Sequence, residues 1–189
     1  MTYATFWQRF WAMWIDFLVL LPVIALSMWL NEQSRAMAML TVIPATSFFF
    51  AYTIYCHGRF GKTLGKHAMG IRVVLTNGQR IGWREAFLRS SVDIALSILG
   101  IIARFIALTK ITDAEFNALE WLDRGKRLYD LEPPELAWVT VASQVWIWSE
   151  LVIMLTNKER RALHDFIAGT VVRAEGATVA GDLPAPREE

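Results

Sequence analysis

The residues in this sequence that could do chemistry are ionisable side chains placed within long apolar stretches. Asp16 interrupts the first stretch, Asp93 and Arg104 the third, and Glu150 the fourth. Seven residues before Asp16, Arg9 shares a helix face with it. A charge inside a membrane is costly unless it has a partner or lines a polar path. The chemistry to expect is therefore cation or proton binding, or charge compensation within the protein.

Four apolar segments must position these side chains. The chain has 189 residues, of which 54% are hydrophobic and 20% charged. Crossing a hydrocarbon core of about 30 Å takes roughly 20 apolar residues in a helix. Such segments are predicted at about 10–30, 36–55, 90–108 and 136–155. The sequence therefore predicts an all-α integral membrane protein with about four transmembrane helices.

The charges of the loops predict the orientation of these helices, because Lys and Arg near helix ends stay on the cytoplasmic side. The loop 57–89 has one acidic residue, Glu85, and a set of basic ones: Arg59, Lys62, Lys66, Arg72, Arg80, Arg84 and Arg89. The insertion 109–135 is acidic overall. We expect the basic loop inside, the acidic insertion outside and both termini in the cytoplasm.

The basic loop contains the pattern of a small β-hairpin. Ile71–Leu75 is mostly β-branched and apolar, Asn77-Gly78 is a tight-turn signal, and Gln79–Trp83 is predicted to return as the second strand. Near the end of the chain, Thr170–Arg173 is predicted as another short strand. We expect it to pair with the hairpin, so that both segments form one small cytoplasmic unit.

The acidic insertion and the tail have simpler patterns. Thr112 begins a capping-box sequence, and spaced apolar residues follow it as far as Gly125. This pattern predicts one short amphipathic helix on the external side. Residues 176–189 lack hydrophobic periodicity, which predicts a disordered tail.

Motifs for other chemistries fail on inspection. Gly61-Lys62-Thr63 resembles the end of a phosphate-binding loop, but the position that requires the first glycine is Cys56. The potential metal ligands have no recognised spacing: Cys56, His57, His67 and His164. No catalytic triad or nucleophile motif is present. We expect no enzyme activity, no cofactor and no metal, and the net charge of +1 argues against a nucleic-acid partner.

Three segments of the chain, in order, resemble the RDD family of bacterial membrane proteins. They are the run Arg9–Asp16 (RFWAMWID), the run Thr63–Val74 (TLGKHAMGIRVV) and the run Leu163–Val172 (LHDFIAGTVV). The resemblance covers residues 5–174, apart from the acidic insertion. It places Arg9 and Asp16 on the arginine and first aspartate for which the family is named. The second aspartate is Asp165 or Asp93.

The resemblance implies a multi-pass protein of the bacterial cytoplasmic membrane whose molecular role is undefined. A sodium/proton antiport activity is suggested for some members of the family. The long insertion 109–135 departs from the compact family pattern and weakens the transfer of that activity. We therefore expect a structural or accessory membrane component, with cation/proton transport through Asp16 as the alternative. The expected partners are the lipid bilayer and either a second copy or another membrane protein.

Asp16 is the residue on which these two functions differ. As a cation or proton site it would be helped by Pro22 and Pro44, which free backbone carbonyls within the first two helices. As a structural residue it would belong to a buried ion pair, with Arg9, Arg72 and Arg104 as candidate partners. We favour the ion pair, because four helices in one subunit make a thin wall for an ion path.

Overall fold

The structure, a computed structural model, describes residues 2–175 and is mostly helical. Its elements follow one another as α1 (Phe6–Gln33), α2 (Arg35–Phe60), α3 (Leu64–Ala68), β1 (Ile71–Leu75), α4 (Trp83–Lys110), α5 (Asp113–Ala118), α6 (Trp121–Asp130), a 3-10 turn (Pro134–Leu136), α7 (Ala137–Thr156), α8 (Leu163–Ile167) and β2 (Thr170–Ala174). The tail predicted to be disordered, 176–189, lies outside the described residues.

The described chain divides into two compact units. Unit 1 comprises the described residues up to Phe17, Tyr52–Ser90, and the described residues from Ser149 onward. Unit 2 comprises Leu18–Ala51 and Ser91–Trp148. Each unit has its own cluster of buried apolar side chains.

Four helices are long and apolar enough to cross a membrane: α1, α2, α4, and α7 with the turn before it. Few of the side chains along them are buried, and large apolar ones such as Trp29, Leu40 and Val141 are exposed. The predicted segments are confirmed as helices, but the helices extend beyond the predicted bounds. The third begins at Trp83 rather than Ser90, because the Glu85 carboxylate accepts the Gly82 N–H at 2.8 Å and caps the helix start.

The sheet of unit 1 differs from the predicted hairpin. The Asn77-Gly78 turn forms, but Gln79–Trp83 contributes only one bridge, between Arg80 and Val74, because α4 begins at Trp83. The prediction of a second strand at Gln79–Trp83 was therefore wrong. The predicted pairing of the C-terminal strand with the loop is confirmed, since β1 and β2 pair antiparallel with Val73 opposite Val172.

The N-terminal residues of unit 1 extend this sheet. Tyr3 forms a bridge with Arg173, and the Ala4 N–H donates to the Val172 carbonyl at 3.0 Å. Ala4 and Val172 are fully buried and belong to one apolar cluster with Ala12, Ile71, Val73 and Ile81. The start and the end of the described chain are therefore held in the same core.

Unit 2 has two short helices where the sequence predicted one. The Thr112 hydroxyl caps α5 by accepting the Glu115 N–H, as the capping-box pattern predicted. The helix stops because Leu119 is extended, and α6 then continues through Gly125. Arg124 stabilises this break by donating to the Phe116 and Leu119 carbonyls at 2.9 and 2.8 Å, which would otherwise lack partners at the end of α5.

Candidate functional site

A buried carboxylate in unit 1 contacts two arginines from distant parts of the chain. Asp165, in α8, has no exposed surface. Arg9, from α1, donates to its Oδ2 at 2.9 Å, and Arg89, from α4, donates to its Oδ1. Thr170 donates to Oδ1 at 3.2 Å, and the Ala162 N–H to Oδ2 at 3.0 Å. One carboxylate thus links α1, α4, α8 and β2.

The surroundings of Asp165 keep it ionised. Burial alone would raise the pKa of this carboxyl group, but the charges of Arg89, His164 and Arg9 act against it and hold the pKa well below its usual range. Both arginines are themselves largely buried, with only 11% and 5% of their side-chain surface exposed. Removal of the carboxylate would leave two buried cations without this counter-charge.

Asp16 lies in a different environment, bound by neutral donors. Its Oδ1 accepts from the Tyr52 hydroxyl at 2.6 Å and from the Gly65 N–H at 2.8 Å, and its Oδ2 accepts from the Thr63 hydroxyl at 2.5 Å. The Tyr52 oxygen in turn accepts the Leu64 N–H at 3.1 Å. Asp16 therefore fastens the start of α3 to α1 and α2.

The sequence of α3 permits this close contact. Thr63 is the N-cap of α3, and its hydroxyl also faces the Lys66 N–H at 3.4 Å. A Cβ on Gly65 would lie 2.0 Å from the Ala12 carbonyl oxygen and 2.8 Å from the Asp16 carboxyl carbon. Only glycine fits between α1 and the first turn of α3.

Lys66 connects the two carboxylates electrostatically. Burial and the charge of Arg89 lower its pKa to about 8, although Asp16 and Asp165 favour its charged form. Arg9 lies within electrostatic range of Arg89 and Glu150 as well as of Asp165. Unit 1 thus contains a network of three basic and three acidic residues, which we call the ionic network: Arg9, Lys66, Arg89, Asp16, Glu150 and Asp165.

The remaining ionisable residues of the apolar segments lie outside the contacts of Asp16 and Asp165. Glu150, near the end of α7, accepts the His164 N–H at 2.9 Å and contacts its imidazole. Asp93 belongs to unit 2 and accepts the Trp146 indole N–H at 3.0 Å. Arg104 also belongs to unit 2, where it lines a cavity within electrostatic range of Glu132.

Asp16 does not form the ion pair that was expected for it. Its three hydrogen-bond donors are two hydroxyls and a backbone N–H, whereas Arg9 contacts Asp165, and Arg72 contacts Glu175 at 3.2 Å. Neutral donors suffice because a carboxylate at the first turn of a helix accepts free N–H groups that would otherwise lack partners. The buried ion pair exists, but its acid is Asp165.

The segment that resembles a phosphate-binding loop has other contacts. Lys62 pairs with Glu175 at 2.5 Å, and Thr63 binds Asp16. Among residues 2–175, no group of three or more His, Cys, Asp or Glu side chains is arranged to hold a metal ion.

The comparison with protein families matches the RDD family model over residues 3–169. The chain belongs to the RDD family. No curated protein and no solved structure matches the chain.

The RDD match includes Arg9, Asp16 and both candidates for the second aspartate. The two candidates differ in their contacts, because Asp165 contacts Arg9 while Asp93 accepts from Trp146 within unit 2. In this RDD protein Arg9 and Asp165 form one ion pair. Asp16 forms a separate set of hydrogen bonds.

Sequence reasoning missed Arg89, the second arginine on Asp165. The sequence places Arg89 among the loop charges that set orientation, because the predicted third helix begins one residue later. Tyr52 and Thr63 were not singled out as partners of Asp16 either. An acid–hydroxyl contact 36 or 47 residues apart leaves no mark in the spacing of one sequence.

Proposed function

We propose that this RDD protein is a multi-pass protein of the bacterial cytoplasmic membrane, with four transmembrane helices and both termini in the cytoplasm. The length of the four helices and their exposed apolar side chains support this placement, since soluble proteins rarely expose apolar faces of such size. The basic loop and the acidic insertion support the orientation.

Reporter fusions test this topology. A reporter fused after Glu189 is expected in the cytoplasm, and one inserted near Asp123 is expected outside. A cytoplasmic reporter near Asp123 would contradict the proposed orientation.

Within that topology, we propose a structural or accessory role. The observation that favours it is the engagement of the charges in unit 1: Asp165 contacts two arginines, and Asp16 accepts three hydrogen bonds. Side chains committed in this way hold α1, α3, α4 and α8 together. The partners in this role would be the lipid bilayer and either a second copy of the chain or another membrane protein.

A second candidate, cation/proton transport through Asp16, rests on Lys66. Its pKa of about 8, lowered chiefly by burial, would let it release a proton near neutral pH while it acts electrostatically on Asp16. A carboxylate beside an amine that titrates in this range could exchange a proton for a cation. The oxygen atoms of Tyr52 and Thr63 adjoin the same carboxylate.

Reconstitution with the Asp16→Asn variant separates the two functions. If the role is structural, liposomes that contain the wild-type protein show no sodium or proton flux. The variant then loses about 1 to 3 kcal/mol of stability in detergent, because the new amide N–H groups face donors. Sodium-dependent proton flux in wild type, lost in a variant of normal stability, would establish transport instead. Asp123→Asn is the matched control. Because the Asp123 side chain is exposed, this change should alter neither stability nor flux under either function.

A further inference from the structure

A cavity within unit 2 contains a cation that is not engaged by the residues around it. The cavity has a volume of about 340 Å³ and is lined by residues of α1, α2, α4, α5 and α6. Small-molecule sites begin at about this size. Its polar side chains include Arg104 and Arg124 but a single acid, Glu32, so the lining residues carry a net positive charge.

Most polar groups of the lining bind one another. Arg124 donates to Glu32 at 2.8 Å and to two backbone carbonyls, and its guanidinium also lies over the Phe116 ring at 4.4 Å. The Thr41 hydroxyl donates to the Asn31 side chain, and Thr46 bonds to its own helix. These groups are already committed to the fold.

Arg104 differs from them. Among residues 2–175, none of the hydrogen bonds or ion pairs of the structure involves its guanidinium. The acid that acts on it electrostatically, Glu132, lies beyond ion-pair distance. Burial raises the pKa of Glu132, and the charge of Arg104 acts against this rise. A cation in an apolar helix is expensive, so its retention here calls for a counter-anion.

We propose that this cavity binds a phosphate group, either the headgroup of an anionic lipid or a free phosphate compound, and that Arg104 is the residue that binds it. Guanidinium is planar and offers paired N–H donors, which match phosphate oxygens in bidentate contacts. The lining also includes apolar side chains, such as Val42, Leu108 and Leu128, which could accommodate the chain of an amphiphile. This site is separate from the ionic network and from the role proposed for it.

Titration of the purified full-length protein in a neutral detergent tests the proposal. The probes are short-chain phosphatidylglycerol, diacylglycerol with the same acyl chains, and inorganic phosphate against chloride at equal ionic strength. We expect phosphatidylglycerol to bind and to raise the melting temperature, and diacylglycerol to do neither. Phosphate binding that depends on Arg104 would identify a free phosphate compound as the source. Binding of phosphatidylglycerol alone would identify a lipid.

Two substitutions make the test specific. Arg104→Gln is expected to weaken binding by about tenfold or more, the usual effect of losing a charge-assisted hydrogen bond. Lys126→Gln removes the same charge from an exposed position on α6 that does not line the cavity, and is expected to leave binding unchanged. Arg104→Lys keeps the charge but not the paired donors, so it is also expected to weaken binding. This variant keeps the test decisive if Arg104→Gln fails to fold.

The proposal is overturned if none of the phosphate probes binds, or if diacylglycerol binds as well as phosphatidylglycerol. It is also overturned if a folded Arg104→Gln or Arg104→Lys variant binds like wild type.

Discussion

Unit 1 and unit 2 both place arginines within long apolar helices, but they compensate them differently. In unit 1, Arg9 and Arg89 share the buried carboxylate of Asp165. In unit 2, Arg104 lines a cavity and makes no ion pair with any described residue. A compensated charge ties segments of the chain together, whereas an uncompensated one is available to a ligand. Arg9 and Arg89 thus serve cohesion in unit 1, whereas Arg104 serves the binding proposed for unit 2.

The largest effect that would test this comparison is expected from Asp165→Asn. The change leaves Arg9 and Arg89 buried without their carboxylate and should cost about 3 to 5 kcal/mol of unfolding free energy. Thermal and denaturant unfolding in detergent measure it. Addition of Arg89→Met to this variant should restore part of the loss, because one stranded cation is removed. Asp123→Asn, on an exposed acid of unit 2, should cost less than about 1 kcal/mol. Equal losses in the two single variants would contradict the assigned role of Asp165.

The next effect is steric. Gly65→Ala would place a Cβ 2.0 Å from the Ala12 carbonyl oxygen, which is backbone and cannot rotate away. We expect a loss of about 1 to 3 kcal/mol, measured by the same unfolding experiments. Gly100→Ala in unit 2 is the control, since its Cβ would meet nothing within 4 Å and alanine favours a helix. A gain of stability in both variants would show that α3 does not pack closely against α1.

Lys66 predicts a pH-dependent effect. Its pKa is lowered from 10.5 to about 8 in the folded protein, so between these values the unfolded chain binds more protons and stability rises with pH. The burial penalty is fully present below pH 8 and gone above about 10.5. Lys66→Met should therefore stabilise the protein at pH 7, by something on the order of 1 to 3 kcal/mol, and the gain should shrink towards pH 10. A gain that is constant from pH 7 to pH 10 would mean that the amine does not titrate in this range.

The smallest effect is expected at an exposed ion pair of unit 2. Arg127 contacts Glu115 at 2.6 Å, but 44% of the arginine side chain and 35% of the glutamate side chain remain exposed. Arg127→Gln should cost less than about 1 kcal/mol, and added salt should abolish the difference. Unfolding at low and high ionic strength measures it. A cost that rivals that of Asp165→Asn would mean that burial does not explain the contrast between the units.

The sequence predicted the parts of this fold that depend on length and local chemistry. The four apolar helices follow from runs of about 20 apolar residues, and the cap of α5 follows from Thr112 and the residues after it. The Asn77-Gly78 turn formed as well, but the partner of β1 did not follow from it. Val171 and Val172 of β2 bury apolar side chains against the core, while Gly82 and Trp83 leave the strand to begin a helix.

The candidate site was predictable only in part. Arg9, Asp16 and Asp165 were identified from segments that resemble a family, yet their pairing depends on tertiary structure. Arg9 and Asp165 are 156 positions apart, and no periodicity links them. Asp16 was expected beside an arginine because a membrane disfavours an unpaired charge. Hydroxyl groups and a backbone N–H supply the same compensation without any charge that the sequence would reveal.

The contact between Arg9 and Asp165 has a consequence for the order of synthesis. A ribosome adds about 5 to 20 residues per second, so the 156 positions between them take roughly 8 to 30 seconds. The Arg9 guanidinium exists without its carboxylate for all of that time, and the Arg89 guanidinium for the last 76 positions of it. β1 lacks its partner strand until β2 has been made. Unit 1 is closed only when α8 and β2 have been translated. A chain that terminates before Asp165 would leave an open strand edge and two uncompensated cations, a state that chaperones and proteases can distinguish from the folded unit.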